Sequence, residues 1–168
     1  GNWRNTICFI ADDEDGNIHI NAADDFATTV SQLFSDCDID KIYLDAYEQI
    51  STPTGQRYPD AKEAINRRVE KGALIMNYTG HGGELGWAHE KVLENTDIKS
   101  WANLDNMPLF MTATCEFSRF DDPDRTASGE YVFLNPSMGS SMGWIEKKQY
   151  GVNLVLCDRV VTLRDRGV

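Results

Sequence analysis

Four short runs rich in apolar residues divide the first two thirds of the chain. They lie at residues 6–11, 41–47, 73–78 and 108–114. A run without strict polar alternation is typical of a strand that is covered on both faces, as in a parallel sheet. The pattern therefore predicts four strands of a mostly parallel sheet.

Between these runs the apolar positions recur at helical spacing. Asn21 is a suitable N-cap for a helix over about 22–35. Its expected apolar face comprises Ala23, Phe26, Ala27, Val30, Leu33 and Phe34. A second helix is expected to start at Pro59 and to end at Lys71-Gly72.

That second helix carries its own apolar stripe, formed by Ala61, Ala64, Ile65 and Val69. A further helix is expected over about 126–134. Strands and helices alternate, which predicts an α/β fold with a mostly parallel sheet and helices on both faces. No Pro/Gly-rich linker divides residues 1–136, so they are predicted to form one domain.

The composition excludes some classes of protein but does not identify a function. The 168 residues are 41% hydrophobic and 26% charged, and no apolar run approaches the roughly 18 residues of a membrane helix. The first residues do not resemble a signal peptide, and the chain begins without Met. We therefore expect it to be a piece of a longer protein, whose compartment its ends do not define.

The net charge of −11 is concentrated at the start of the chain. Residues 1–60 hold 12 acidic and 3 basic side chains, a balance of −9. This argues against nonspecific binding to nucleic acid, which needs clustered Lys and Arg. Cys8, Cys37, Cys115 and Cys157 are widely spaced and contain no CxxC, so they form neither a zinc framework nor a dense disulfide scaffold.

Chemistry is expected at the carboxyl ends of the strands, where ligands bind in open α/β sheets. His81 follows the third strand and Cys115 follows the fourth, 34 residues later. An imidazole can lower the pKa of a neighbouring thiol and protonate a leaving amine. A His–Cys pair of this kind predicts nucleophilic catalysis, while packing for the cysteine and a satisfied polar histidine are the alternatives.

The other cysteines and histidines have simpler interpretations. Cys8, in the middle of the first strand, is predicted to belong to the core. Cys37 and Cys157 have no catalytic partner in view. His19 and His89 do not occupy matching strand ends and are predicted to be surface groups.

Two long motifs surround the proposed pair: NYTGHGGELGWAH at 77–89 and MTATCEFSRFDDP at 111–123. Together with DDEDGN at 12–17, KIYLDAY at 41–47, GQRYP at 55–59 and KEAINRR at 62–68, they resemble the gingipain family of cysteine peptidases. The resemblance covers about residues 5–136. Within the family it is strongest to the sortases of the type IX secretion system.

The resemblance implies a caspase-like fold, with His81 and Cys115 as catalytic dyad and the amides of Gly82 and Cys115 as oxyanion hole. It also implies an enzyme on the outer face of the outer membrane that acts with other type IX secretion components. Such an enzyme removes C-terminal signal regions from exported proteins and transfers the acyl group to an amine of anionic lipopolysaccharide. A plain hydrolytic protease and a non-catalytic binding domain are the alternatives.

Further site residues are expected around the dyad. Glu48, Glu84, Trp87, Glu116 and Arg119 are candidate residues of the substrate cleft. Their alternatives are a solvated acidic rim, a loop held by ion pairs and, for Trp87, packing on the sheet. Asp12, Asp13 and Glu48 lie at neighbouring strand ends, where they would orient His81 or contact substrate.

No cofactor is required for the proposed chemistry. Asp12, Asp13 and Asp15 offer oxygen ligands suited to a structural calcium ion, without the complete EF-hand spacing. Related gingipains bind calcium.

The tail departs from the family pattern. Residues 137–168 do not align with it, and a junction, a change of reading frame and genuine divergence are the alternatives. Residues 152–163 are apolar enough for one more strand.

Overall fold

The computed structural model describes residues 2–134, 144–148, 151–156 and 159–162. Two short 3-10 helices span Asn2–Asn5 and Leu44–Ala46. The other elements are β1 (Thr6–Ala11), α1 (Glu14–Leu33), β2 (Asp38–Tyr43), β3 (Ile50–Thr52), β4 (Gly55–Arg57), α2 (Pro59–Lys71), β5 (Ile75–Thr79), β6 (Gly82–Gly83), β7 (Gly86–Trp87), β8 (Leu93–Glu94), α3 (Asn95–Ser100), β9 (Leu109–Ala113), α4 (Ser128–Leu134), β10 (Trp144–Lys148), β11 (Gly151–Leu156) and β12 (Arg159–Thr162).

The central sheet contains β1, β2, β5 and β9, all parallel, in the order β2-β1-β5-β9. Ile10 lies opposite Ile42 on one side and Tyr78 on the other, and Tyr78 lies opposite Thr112. These are the four strands that the apolar runs predict. Only the ends of these strands differ from the prediction. The difference is largest for β2, which begins at Asp38 and is followed by a 3-10 helix after Tyr43.

Helices cover both faces of this sheet, as the fold class requires. Successive residues of β1 point to opposite faces, because the side chains of a strand alternate. Cys8 and Ile10 join the core beneath α2, while Ile7 and Phe9 pack with Ala27 of α1. Ala61, Ala64, Ile65 and Val69, the predicted stripe of α2, are all buried.

Helix α1 differs from its prediction at its start. Asp15, Gly16 and Asn17 have positive φ angles of 53°, 66° and 64°, so a left-handed turn precedes the regular helix. Asn21 lies inside the helix, and the expected N-cap there is wrong. Asp and Asn tolerate left-handed backbone better than most residues, and Gly adopts it freely.

The buried face of α1 is also narrower than predicted. Ile20, Ala23 and Ala27 are buried, whereas Phe26 is 68% exposed. Leu33 and Phe34 are exposed as well. Phe26 and Ala27 are neighbours about 100° apart around the helix axis, and the small side chain faces the sheet so that the helix approaches it closely.

Several small elements fill the connections. β3 and β4 form an antiparallel hairpin. Along the chain between β5 and β9, the strands β6, β7 and β8 form a second small sheet, and α3 follows them. A capping box between Glu94 and Asp97 starts α3.

The tail contains three antiparallel strands, β10, β11 and β12, in that order. Two of them lie within the apolar segment predicted at 152–163, although β11 starts at Gly151. The division of the chain at residue 136 stays a prediction. Within the part of the chain that the structure describes, no helix is both long and apolar enough to cross a bilayer.

The orientation of α1 predicts opposite outcomes for two substitutions. Ala23→Leu should destabilise the fold by about 1–3 kcal/mol, because it overpacks the contact between helix and sheet. Phe26→Ala should change the free energy of unfolding by less than about 0.5 kcal/mol, because the ring is exposed. Urea titration followed by tryptophan fluorescence measures both, and the reverse ranking would refute this orientation.

Candidate active site

Two adjacent strands deliver His81 and Cys115 to the same edge of the sheet. β5 and β9 run in register, with Thr79 opposite Ala113 at their ends. The amide of Gly80 still donates to the carbonyl oxygen of Ala113, at 3.3 Å. His81 and Cys115 each follow two residues after these strand ends, and Cys115 is exposed.

Gly82 packs directly on the segment that carries the cysteine. A Cβ atom at Gly82 would overlap the hydroxyl of Thr114 and lie 3.3 Å from its methyl group. Thr114, which precedes Cys115, is itself buried. The absence of a side chain at Gly82 therefore allows the loop after β5 and the loop after β9 to touch.

Asp12, at the end of β1, contacts both the backbone and the ring of His81. Its side chain is fully buried. Its Oδ2 accepts a hydrogen bond from the backbone amide of His81 and lies 3.1 Å from the ring Nδ1. A Cβ atom at Gly80 would lie 2.6 Å from the same oxygen, so this approach requires glycine there.

Asp15 faces the other nitrogen of the same ring. Its Oδ2 lies 3.2 Å from His81 Nε2, and its side chain is 64% exposed. The left-handed turn described above brings this residue back over the strand ends. Both ring nitrogens of His81 therefore face carboxylate oxygens.

His89 is exposed, as predicted, and His19 is half-buried, but both rings lie against His81, which the sequence interpretation did not foresee. The ring of His19 meets that of His81 edge to face, with centroids 5.0 Å apart, and the ring of His89 stacks on His81 at 5.4 Å. We call these three residues the histidine cluster. The sequence feature that could have indicated the place of His19 is the Asp-Gly-Asn turn just before it, which reverses the chain above the sheet.

Carboxylates surround the histidine cluster. Glu14 accepts a hydrogen bond from His89 Nδ1 at 2.9 Å, and this contact raises the pKa of His89. Burial, followed by the charge of Asp12, raises the pKa of Tyr78 well above its usual value. Tyr78 therefore stays protonated, and its hydroxyl donates to the carbonyl oxygen of His81.

The candidate cleft residues have different environments. Arg119 Nη1 lies 2.6 Å from Glu84 Oε1, so these two residues form an ion pair that ties the loops after β5 and β9 together. Glu48 is exposed, and Glu116 has a positive φ of 52° directly after the cysteine. None of these positions establishes a contact with substrate, and their place in a cleft stays a prediction.

Trp87 packs in the core. Its side chain is fully buried and stacks on Tyr78, with ring centroids 4.3 Å apart. It also contributes to the wall of a cavity of about 310 Å³ beside the site. Gly82, Gly83, Leu85, His89 and Glu94 also line this cavity, which is the size of a small ligand pocket.

The residues proposed for calcium do not form an oxygen cage. Asp12 is directed at His81, Asp15 lies on the opposite side of that ring, and Asp13 Oδ2 accepts from the Tyr58 hydroxyl at 2.6 Å. Calcium takes six to eight oxygen ligands around one point. The geometry of these three carboxylates does not fit that requirement.

The other cysteines show no comparable setting. Cys8 is fully buried, as predicted, and burial raises the pKa of its thiol well above the usual value. Cys37 is half-buried and packs beside Ile7 and Phe9. Cys157 lies outside the described residues.

The contact of Gly82 with Thr114 predicts a difference between two neighbouring glycines. Gly82→Ala should lower the free energy of unfolding by about 1–3 kcal/mol, because the new methyl group enters occupied space. Gly83→Ala is the matched control, since a Cβ atom there meets nothing within 4 Å. Equal stability of the two variants in urea titration would contradict the contact.

Comparison with known proteins gives a family and a fold. The model of peptidase family C25 matches residues 1–153. The crystal structure of the Arg specific cysteine proteinase gingipain R superposes with a TM-score of 0.63 at 19% identity, covering 86% of this chain and 32% of that one. No curated protein matches the chain.

Two further solved structures agree. A complex of Porphyromonas gingivalis RgpB pro- and mature domains gives a TM-score of 0.61 at 18% identity, covering 86% of this chain and 32% of that one. A structure described only as a protease gives 0.60 at 18% identity, covering 86% and 29%. The chain thus spans about a third of these proteins, with which it shares the predicted caspase-like α/β fold.

Proposed function

The chain belongs to peptidase family C25, and on that basis we propose that it is the catalytic segment of a cysteine peptidase. Cys115 is the nucleophile and His81 the general acid–base. The observation that carries this proposal is the parallel register of β5 and β9, which places both residues two positions beyond paired strand ends. The exposure of Cys115 leaves its sulfur accessible to a peptide.

Asp12 is the positioning residue for His81 in this mechanism. Its buried carboxylate lies against Nδ1, which leaves Nε2 for the reaction. A carboxylate in that place fixes the ring orientation and stabilises the imidazolium. For the reaction, Nε2 must lose its contact with Asp15 and contact the Cys115 sulfur instead. The exposed end of Asp15 is free to move aside.

The reaction follows from these placements. The Cys115 thiolate attacks the scissile carbonyl, and the amides of Gly82 and Cys115 stabilise the resulting oxyanion. His81 protonates the leaving amine as the C–N bond breaks, and a thioester remains on the sulfur. An incoming amine or water then attacks the thioester and releases Cys115.

We further propose that the physiological acceptor is an amine, so that the enzyme is a sortase. Support comes from the motifs at 77–89 and 111–123, which resemble those of PorU, the sortase of the type IX secretion system. The substrates would be C-terminal signal regions of secreted proteins, and the acceptor would be anionic lipopolysaccharide. The enzyme would work at the cell surface with other components of that system.

Covalent labelling tests the dyad. Iodoacetamide should alkylate Cys115 in the native chain, and His81→Ala should slow this by roughly 10²-fold or more, because the base is lost. Asp12→Asn should give an intermediate rate, because the ring of His81 loses the buried carboxylate that orients it. Asp36→Asn, which changes an exposed carboxylate outside the site, is the control; equal rates in native and His81→Ala protein would exclude activation by His81.

Product analysis separates the sortase from the hydrolase. A peptide ester carrying a C-terminal signal sequence is incubated with the chain, with and without an added amine such as glycine amide. A sortase should give mostly the amine adduct, because the acceptor outcompetes water at the thioester. Hydrolysis product alone would favour the plain protease, and no turnover despite His81-dependent labelling would favour a binding domain.

A further inference from the structure

Three ligand atoms converge around His81. Asp12, His19 and His81 each offer one oxygen or nitrogen atom, and these atoms all lie within 4.8 Å of one another. Within the part of the chain that the structure describes, this is the one group of three or more such residues. It combines two imidazoles with a carboxylate.

Two of the facing atoms have no hydrogen-bond partner. Asp12 Oδ1 is buried and unpartnered on a side chain that is fully buried, and His19 Nε2 is buried and unpartnered as well. The two atoms face each other at 3.9 Å, too far apart for a hydrogen bond. A buried carboxylate oxygen without a partner is costly, so the arrangement favours a species that binds both atoms.

The spacing suits a metal ion between them. With bonds of about 2.0–2.2 Å to nitrogen and oxygen, tetrahedral geometry places two ligand atoms roughly 3.4 Å apart. The observed 3.9 Å is a few tenths of an ångström wider. Asp15 Oδ2 lies 3.8 Å from His19 Nε2, and a water molecule would supply a fourth ligand.

The ligand set selects the class of ion. Two imidazoles with one carboxylate suit zinc and neighbouring transition metals, whereas calcium and magnesium require oxygen ligands. We propose that Asp12, His19 and His81 bind a divalent transition-metal ion of the zinc class, and that this ion switches the peptidase site off.

The inhibitory part rests on the function proposed above. A metal-bound ring nitrogen has no lone pair left, and the other nitrogen of the neutral ring carries its proton. His81 in that state cannot accept a proton from the Cys115 thiol. Removing the metal restores the free imidazole and with it the dyad.

Cobalt(II) is the probe for binding, because its visible spectrum reports ligand type. The 168-residue chain carrying Cys115→Ser should show the absorption of a nitrogen/oxygen-ligated cobalt site that saturates at one equivalent. His19→Ala and His19→Gln should each weaken this binding by at least about tenfold, since a ligand is lost. Asp36→Asn is the control, because Asp36 is an exposed carboxylate outside the group of ligands and should leave the affinity unchanged.

Zinc inhibition is measured on iodoacetamide labelling at Cys115, as the ratio of rates with and without zinc for each variant. The midpoint of inhibition should shift to higher zinc by at least about tenfold in His19→Ala. Circular dichroism melting of the His19 variants in the absence of metal verifies that they fold.

The outcomes separate the two proposals. Cobalt binding that depends on His19 in a chain without His81-dependent labelling would uphold the metal site and overturn the peptidase mechanism. Cobalt binding that the native chain shows and the Cys115→Ser chain lacks would place the metal on the thiol and overturn the site proposed here. No cobalt binding, or binding unaffected at His19, would mean that His19 only forms ion pairs with Asp12 and Asp15.

Discussion

The buried carboxylate of Asp12 is the constraint around which the active edge of this domain is organised. It lies at the end of β1, the strand next to β5, and accepts the backbone amide of His81. Burying a charge is costly unless hydrogen bonds and opposite charges surround it. The absence of a side chain at Gly80 and the ring of His81 both serve that requirement. The geometry of the loop after β5 follows from it.

The same carboxylate gives His81 two opposed properties. A buried carboxylate beside Nδ1 fixes the orientation of the ring, which the proposed acid–base role of His81 needs. A buried oxygen next to two imidazoles also suits a transition metal, which would occupy a lone pair that acid–base chemistry uses. In the two proposals above, activity therefore depends on whether a metal occupies the space beside Asp12.

The sequence predicted what depends on local pattern. Continuous apolar runs identified the four parallel strands, and the spacing of Ala61, Ile65 and Val69 identified the buried face of α2. It missed His19 because that contact depends on a left-handed turn whose direction in space is set by tertiary packing. Phe26 was misplaced because hydrophobicity favours burying the larger side chain, while the close approach of α1 to the sheet requires the smaller one. The order of the strands predicted that His81 and Cys115 lie close together as a candidate nucleophilic pair. The family resemblance implied their roles as a catalytic dyad.

The acidic character of the first 60 residues acquires a local meaning from this geometry. Four of its twelve acidic side chains are residues 12–15, and three of these, Asp12, Glu14 and Asp15, contact the histidine cluster. Like charges held this close repel one another and destabilise the fold unless cations intervene. The three imidazoles are the groups that lie against these carboxylates. A net charge that argued only against nucleic-acid binding is therefore, in this part of the chain, the electrostatic environment of the site itself.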